Sequence, residues 1–231
     1  MYDNVKINAR FHNVAKSATF QNIITAYRLR DKRVLDIGCS YGEHLVHFGK
    51  GSVGLTITEP EIDFGKEKGI NIRYGNIESS DFKTEGIFPA QGGPAMGWDA
   101  IFANNVLEHL FSPHYFLYKS RELLKENGIL ILGVPCVPKI VLLMHIQKFR
   151  GSLSLPHINF WTGDTLRRTV ERGGFTVHET RGFHFQNKML DAFFEPVYPH
   201  FYCVATPIKN FTYPEKRMGE LMDRMTVTFK K

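Results

Sequence analysis

The sequence predicts a single α/β domain: a mostly parallel, doubly wound seven-stranded sheet with helices on both faces. Three observations carry that prediction. Short apolar runs alternate with helix-patterned stretches along most of the chain. Each run is nearly continuous in apolar residues, as a strand buried on both faces of a parallel sheet must be. Glycines end the segments at a regular pitch, as expected of repeated strand-helix units.

In chain order, residues 1–32 form an N-terminal helical cover. Within it, 11–29 places Phe11, Val14, Ala15, Ala18, Ile23, Ala26 and Tyr27 at helical spacing. "RVLDIG" (33–38) is a first strand and "EHLVHFG" (43–49) a helix closed by Gly49. "SVGLTI" (52–57) and "INIRYG" (70–75) are strands flanking a helix that ends at Gly69. A looser glycine-rich stretch precedes the strand "WDAIFAN" (98–104), and "HYFLYKSRELLKENG" (114–128) is a helix. "ILILGVP" (129–135) is the most apolar strand. A helix at 162–174, strands at 175–180 and 201–207 and a helical stretch near 213–225 complete the domain. Right-handed crossovers then put ligand chemistry at the carboxyl ends of the strands, where the strand order reverses.

Composition narrows the class. The chain has 231 residues, 43% hydrophobic and 13% aromatic with 19 Phe, which supports a buried core and tells against disorder. The net charge of +6 suits an anionic partner, but Lys and Arg are dispersed except in "RLRDKR" (28–33), a solvated helix end before it is a nucleic-acid patch. Cys39, Cys136 and Cys203 form no CxxC pair and read as buried thiols in a reducing compartment. No apolar stretch reaches the roughly 20 residues that span a bilayer, and the N-terminus lacks a signal-peptide core, so the expected location is cytoplasmic.

"VLDIGCSYG" (34–42) leaves the first strand with Gly38 and Gly42 positioned for close backbone approach to a ligand. A dinucleotide dehydrogenase would show G-x-G-x-x-G cradling a pyrophosphate. The spacing here is D-x-G-x-x-x-G, and Asp36 would repel a pyrophosphate while favouring an ammonium group.

With these residues, 33–180 resembles the class I S-adenosylmethionine-dependent methyltransferases, whose fold is Rossmann-like. "VLDIGCSYG" is similar to their first motif, "YGNIES" to the third, "WDAIFANNVLEHL" to the fourth and "LLKENGILILGVP" to the helix and strand that follow. "FWTGDTLRRTVERGGFTV" resembles a helix-strand pair common in members that modify small molecules or sugars. The resemblance implies S-adenosyl-L-methionine as cofactor and S-adenosyl-L-homocysteine as product. It implies Asp36, Gly38, Cys39, Ser40 and Gly42 at the methionine end, with Asn104 nearby.

Two positions depart from the family pattern. The acid that ends the second strand and binds the ribose hydroxyls is replaced by Thr56. A subset that includes cyclopropane-forming lipid methyltransferases also has Gly-Leu-Thr here and uses a polar residue five positions on, which is Glu61. Thr58-Glu59-Pro60-Glu61 equally fits a capping box in which Glu61 reaches back to the Thr58 N–H, and Glu59 is a third ribose candidate. The acid of the third motif is replaced by Asn76, whose side-chain carbonyl still accepts a bond from the adenine amino group, with Ile77 packing on the ring; alternatively Asn76 serves the turn.

A hydroxyl acceptor needs a base, and histidine suits that role. His109, just after the fourth strand, and His157, in a segment above the same sheet end, are the candidates, with His145 and His184 nearby in the chain; His109 equally suits a packing role. Relatives with E-x-x-E-H here bind a divalent metal, but this chain reads Asn105-Val-Leu-Glu108-His109, and losing one carboxylate leads us to expect no metal. Residues 136–160 form a lid insertion, although 138–156 also has the pattern of a membrane-surface segment. Aromatic and histidine residues across 183–202 line an acceptor pocket or belong to the core. The expected acceptor is a small molecule or saccharide. An RNA methyltransferase and an inactive cofactor-binding module are the alternatives, and oligomeric state is not legible.

Overall fold

The computed structural model describes residues 3–79, 82, 97–147, 151 and 153–213. The seven strands are β1 (Val34–Ile37), β2 (Val53–Thr56), β3 (Ile72–Tyr74), β4 (Trp98–Asn104), β5 (Leu124–Pro135), β6 (Phe175–Arg181) and β7 (His200–Pro207). They lie side by side in the order β3-β2-β1-β4-β5-β7-β6. The first five are parallel, and β7 runs antiparallel to both β5 and β6. Strand order reverses between β1 and β4, with Asp36 opposite Gly54 on one side and Phe102 on the other. That crevice is where an open α/β sheet binds ligands.

Successive side chains on a strand point to opposite faces, and the core divides accordingly. On one face Val34, Phe102, Ile131 and Val204 pack against Phe20, Ile23 and Ile24 of helix α2 (Ala18–Tyr27). On the other, Leu35, Ile101, Leu130 and Leu132 pack against Phe116 and Leu117 of α4 (Pro113–Leu123) and Leu166 and Val170 of α5 (Gly163–Arg172). Thr162 begins α5 with a capping box formed with Thr165, which satisfies donors that the helix start leaves open.

Four elements differ from expectation. The helix expected over 11–29 is two helices, α1 (Asn4–Lys16) and α2, because Ser17 leaves helical geometry and accepts the Phe20 N–H with its hydroxyl. The helix expected at 43–49 is one 3-10 turn, Leu45–His47: Phe48 is extended, and Gly49 lies against backbone of residues 30 and 32. Helix α4 stops at Leu123, and β5 begins at Leu124, beside Trp98. Residues 188–194 form a short helix, α6 (Lys188–Phe194), within the aromatic-rich 183–202 stretch, where the sequence predicts no helix. The helical stretch expected near 213–225 lies outside the described residues beyond Tyr213.

Candidate functional site

The loop after β1 turns on Gly38 (φ 72°) and Gly42 (φ 88°), with Ser40 between them also in the left-handed region (φ 51°). A Cβ on Gly38 would meet Val106 at 2.6 Å, so the loop and the β4 exit approach each other closely there. Cys39 faces away from the crevice. Its thiol packs with Leu45 and Ile72, and its N–H donates to the Leu55 carbonyl at 3.0 Å. Ser40 is left as the loop's outward polar side chain.

Asp36 is 2% exposed, and its Oδ2 has no hydrogen-bond partner among the described residues. Burial, aided by the Glu43 charge, holds its carboxyl well above the usual range. Glu43 is also buried, and burial raises it, with Arg10 pulling the other way. Arg10, on α1 (Asn4–Lys16), lies 3.4 Å from the Glu43 carboxylate and donates to Ser40 Oγ at 2.9 Å. The N-terminal helix thus closes over the glycine loop. Arg10 and Glu43 went unrecognised in the sequence because no motif links positions 33 apart.

At the end of β2, Thr56 donates a hydrogen bond to Glu61 and accepts the Thr58 N–H at 3.2 Å. Ser40 donates to the same Glu61 carboxylate at 3.1 Å. The capping box therefore does not form: Thr58 caps α3 (Glu59–Lys68) with no side-chain bond, and Thr56 occupies the N–H that Glu61 would have taken. Glu61 instead stands between the glycine loop and the end of β2, and Glu59 is exposed. Asn76 Oδ1 accepts the Glu78 N–H at 3.0 Å, the turn role, while Ile77 is buried in the main core.

The exit of β4 carries a second cluster. Asn104 Oδ1 is buried without a partner among the described residues. Glu108 is fully buried; neither carboxylate oxygen has a hydrogen-bond partner among the described residues, and burial raises its carboxyl to about 7. Residues of the expected lid lie against this turn: Ile158 N–H donates to the Glu108 carbonyl at 2.8 Å, and Asn159 Nδ2 donates to the Leu107 and Leu110 carbonyls. His109 Nδ1 lies 3.1 Å from the Pro156 carbonyl and His157 stacks edge-on at 4.7 Å. Glu108, His109 and His157 each offer a donor atom within 4.8 Å of the others, a spacing that a cation can bridge. The expectation of no metal weighed only the Asn105-to-His109 stretch and did not count His157, 48 positions away. His145 lies exposed on the 3-10 turn Val141–His145.

The model of a methyltransferase domain matches residues 11–180, nearly three quarters of the chain. The chain belongs to the methyltransferase domain family. Its cofactor is S-adenosyl-L-methionine, which removes the nicotinamide dehydrogenase as an alternative. The chain is 25% identical over 166 residues to the ubiquinone biosynthesis O-methyltransferase of Roseobacter denitrificans, covering 66% of this chain and 63% of that protein. It is 32% identical over 110 residues to the tRNA U34 carboxymethyltransferase of Alteromonas mediterranea, covering 45% and 32% respectively. The matches thus span between a third and just under two thirds of these relatives' lengths. An S-adenosylmethionine-dependent methyltransferase from Clostridium acetobutylicum shares the fold, with a TM-score of 0.61 at 8% identity over 89% of this chain and 100% of that one. The CcbJ methyltransferase from Streptomyces caelestis does so at 0.56 and 14%, over 83% and 90%.

The residues present fit this cofactor. Asp36, a buried carboxyl whose Oδ2 has no partner among the described residues, suits an ammonium group, and Glu61 stands at the end of β2 with hydroxyl-bearing neighbours.

Proposed function

We propose that this methyltransferase-family protein methylates a hydroxyl of a small molecule or saccharide. The observation that carries this reading is the geometry of His109. With the Pro156 carbonyl at 3.1 Å, Nδ1 holds the ring proton, which leaves the Nε2 lone pair as a base. The cofactor, when bound, supplies an electrophilic methyl carbon on a sulfonium. Asp36 receives its ammonium group, Ser40 and the turns at Gly38 and Gly42 admit its methionine end, and Asn104 borders it. Glu61, with Thr56, takes the ribose hydroxyls. The second lone pair of Asn76 Oδ1 and the edge of Ile77 serve adenine. Cys39 supports this loop from below.

His109 takes the hydroxyl proton of the acceptor, with His157 beside it as the second candidate base. Glu108, ionising only near 7, lies 3.9 Å from His109 Nε2 and stabilises the imidazolium when itself charged. Pro156, Ile158 and Asn159 of the expected lid pack on the turn that carries this pair, and His109 remains open to an acceptor from the solvent side.

The test is release of S-adenosyl-L-homocysteine with a panel of hydroxylated acceptors, in EDTA and again with Mg²⁺. Turnover in EDTA that falls at least about a hundredfold in His109→Ala supports a metal-free base. Turnover that needs Mg²⁺ assigns Glu108, His109 and His157 to a cation, and no turnover with any acceptor supports an inactive binding module. The net charge of +6 and the tRNA-acting relative favour RNA as a second reading. That reading requires RNA affinity that falls steeply with salt.

A further inference from the structure

A cavity of about 360 Å³ opens beside the crevice, between the α1–α2 junction and strand β7. It reaches the end of β4 through Asn104 and Asn105, and the glycine loop through His44. Its size sits at the lower end of the roughly 300–1,000 Å³ typical of small-molecule sites, room for one ring rather than a chain of nucleotides. Asn13, Ser17, Thr19, His184, His200 and Tyr202 complete its polar lining, and no Lys, Arg, Asp or Glu lines it among the described residues.

The polar groups are held in place. His200 Nε2 bonds Asn105 Oδ1 at 3.0 Å, and Asn105 is itself fixed at φ 56° with its N–H on the Gly133 carbonyl. Thr19 Oγ1 lies 3.3 Å from His184 Nδ1. The turn carrying His184 is tied down by Asp191, which accepts the N–H groups of His184 and Phe185 and the Tyr198 hydroxyl. Asp191 also pairs with Arg181, so that neighbouring charge is neutralised outside the cavity. The two buried-side imidazoles stay neutral: burial lowers His44 to about 4 and His200 to about 3, although part of each ring faces the cavity. An ion entering here would lose hydration and find no counter-charge, a cost that hydroxyl groups escape by hydrogen bonding. Among the lining residues described, Asn104 Oδ1 is buried and unpartnered, beside Gly133 at the end of β4.

We propose that this cavity is the acceptor site, and that it takes an uncharged, multiply hydroxylated ring of monosaccharide size. The inference rests on the methyltransferase reading above and adds the place and class of the acceptor. The hydroxyl to be methylated lies at the Asn104–Asn105 end, where the β4 exit that carries His109 begins, and the others bond Thr19, His184 and His200.

The experiment is saturation-transfer NMR of the full chain with glucose, galactose, rhamnose, glucuronate and glucose 6-phosphate, with and without S-adenosyl-L-homocysteine. Cofactor-product binding is measured separately by calorimetry. The expected result is transfer to one or more neutral sugars and none to the two anions. Thr19→Val, on a part-exposed helix position, is expected to weaken sugar binding about tenfold while leaving S-adenosyl-L-homocysteine affinity unchanged. His184→Gln gives a second variant with the same expectation. Preference for the anions, no sugar binding, or sugar binding unmoved in both variants overturns the inference. Sugar binding without S-adenosyl-L-homocysteine binding leaves the cavity assignment standing and defeats the methyltransferase reading instead.

Discussion

Glu108→Gln should change how stability depends on pH. The carboxyl is fully buried, has no hydrogen-bond partner among the described residues and ionises at about 7, against 4.5 for an exposed glutamate. The native state therefore holds this proton more tightly than the unfolded chain does. Stability is at its fullest below 4.5 and is lost as pH rises through 7. The loss from this one group is about 1 kcal/mol at pH 5, about 2 at pH 6 and about 3 by pH 8. Glutamine keeps the shape and cannot ionise, so the variant escapes the loss. Asp36 and Glu43, which burial also raises, titrate alike in both proteins and cancel in the difference. The assay is urea unfolding in EDTA at pH 5, 6, 7 and 8, read as the wild-type-minus-variant free energy. A difference that stays flat across that range would refute the reasoning, because it would mean Glu108 is ionised or solvated throughout.

Three further outcomes follow from the same geometry. On the proposed ribose contact, Glu61→Gln should weaken S-adenosyl-L-homocysteine binding roughly 10- to 100-fold with an unchanged melting temperature, since its capping role is absent; unchanged affinity in calorimetry would contradict this. Binding of S-adenosylmethionine should release a proton as Asp36 ionises against the ammonium group, so calorimetric enthalpies should differ between phosphate and Tris buffers, and the effect should vanish in Asp36→Asn. Asp191→Ala should cost about 3 kcal/mol in denaturant unfolding, because it removes the buried acceptor of the His184 and Phe185 N–H groups and the Tyr198 hydroxyl and leaves Arg181 with Glu179 as its remaining carboxylate.

The seven strands and the glycine loop were legible in the sequence because they rest on local periodicity. Alternating apolar residues such as Val34 and Leu35 feed opposite faces of the sheet whatever lies further along the chain. The 3-10 turn at 45–47 was not legible, since the glycine that ends it is placed by backbone at 30 and 32. The same limit applies at Glu61. Thr-Glu-Pro-Glu reads as a capping box, and only the parallel pairing of β1 with β2 delivers Ser40 and Thr56 to that carboxylate.

The sequence by itself determined the fold class, the order of its units and the glycine loop that follows the first strand. Tertiary structure decided which distant residues share a site. His157 meets His109 because residues 156–159 dock on the β4 exit, and His200 meets Asn105 because β7 enters the sheet beside β5. Helix and strand periods are properties of a few neighbouring residues, whereas strand order and docking are set by how the whole sheet buries its two faces.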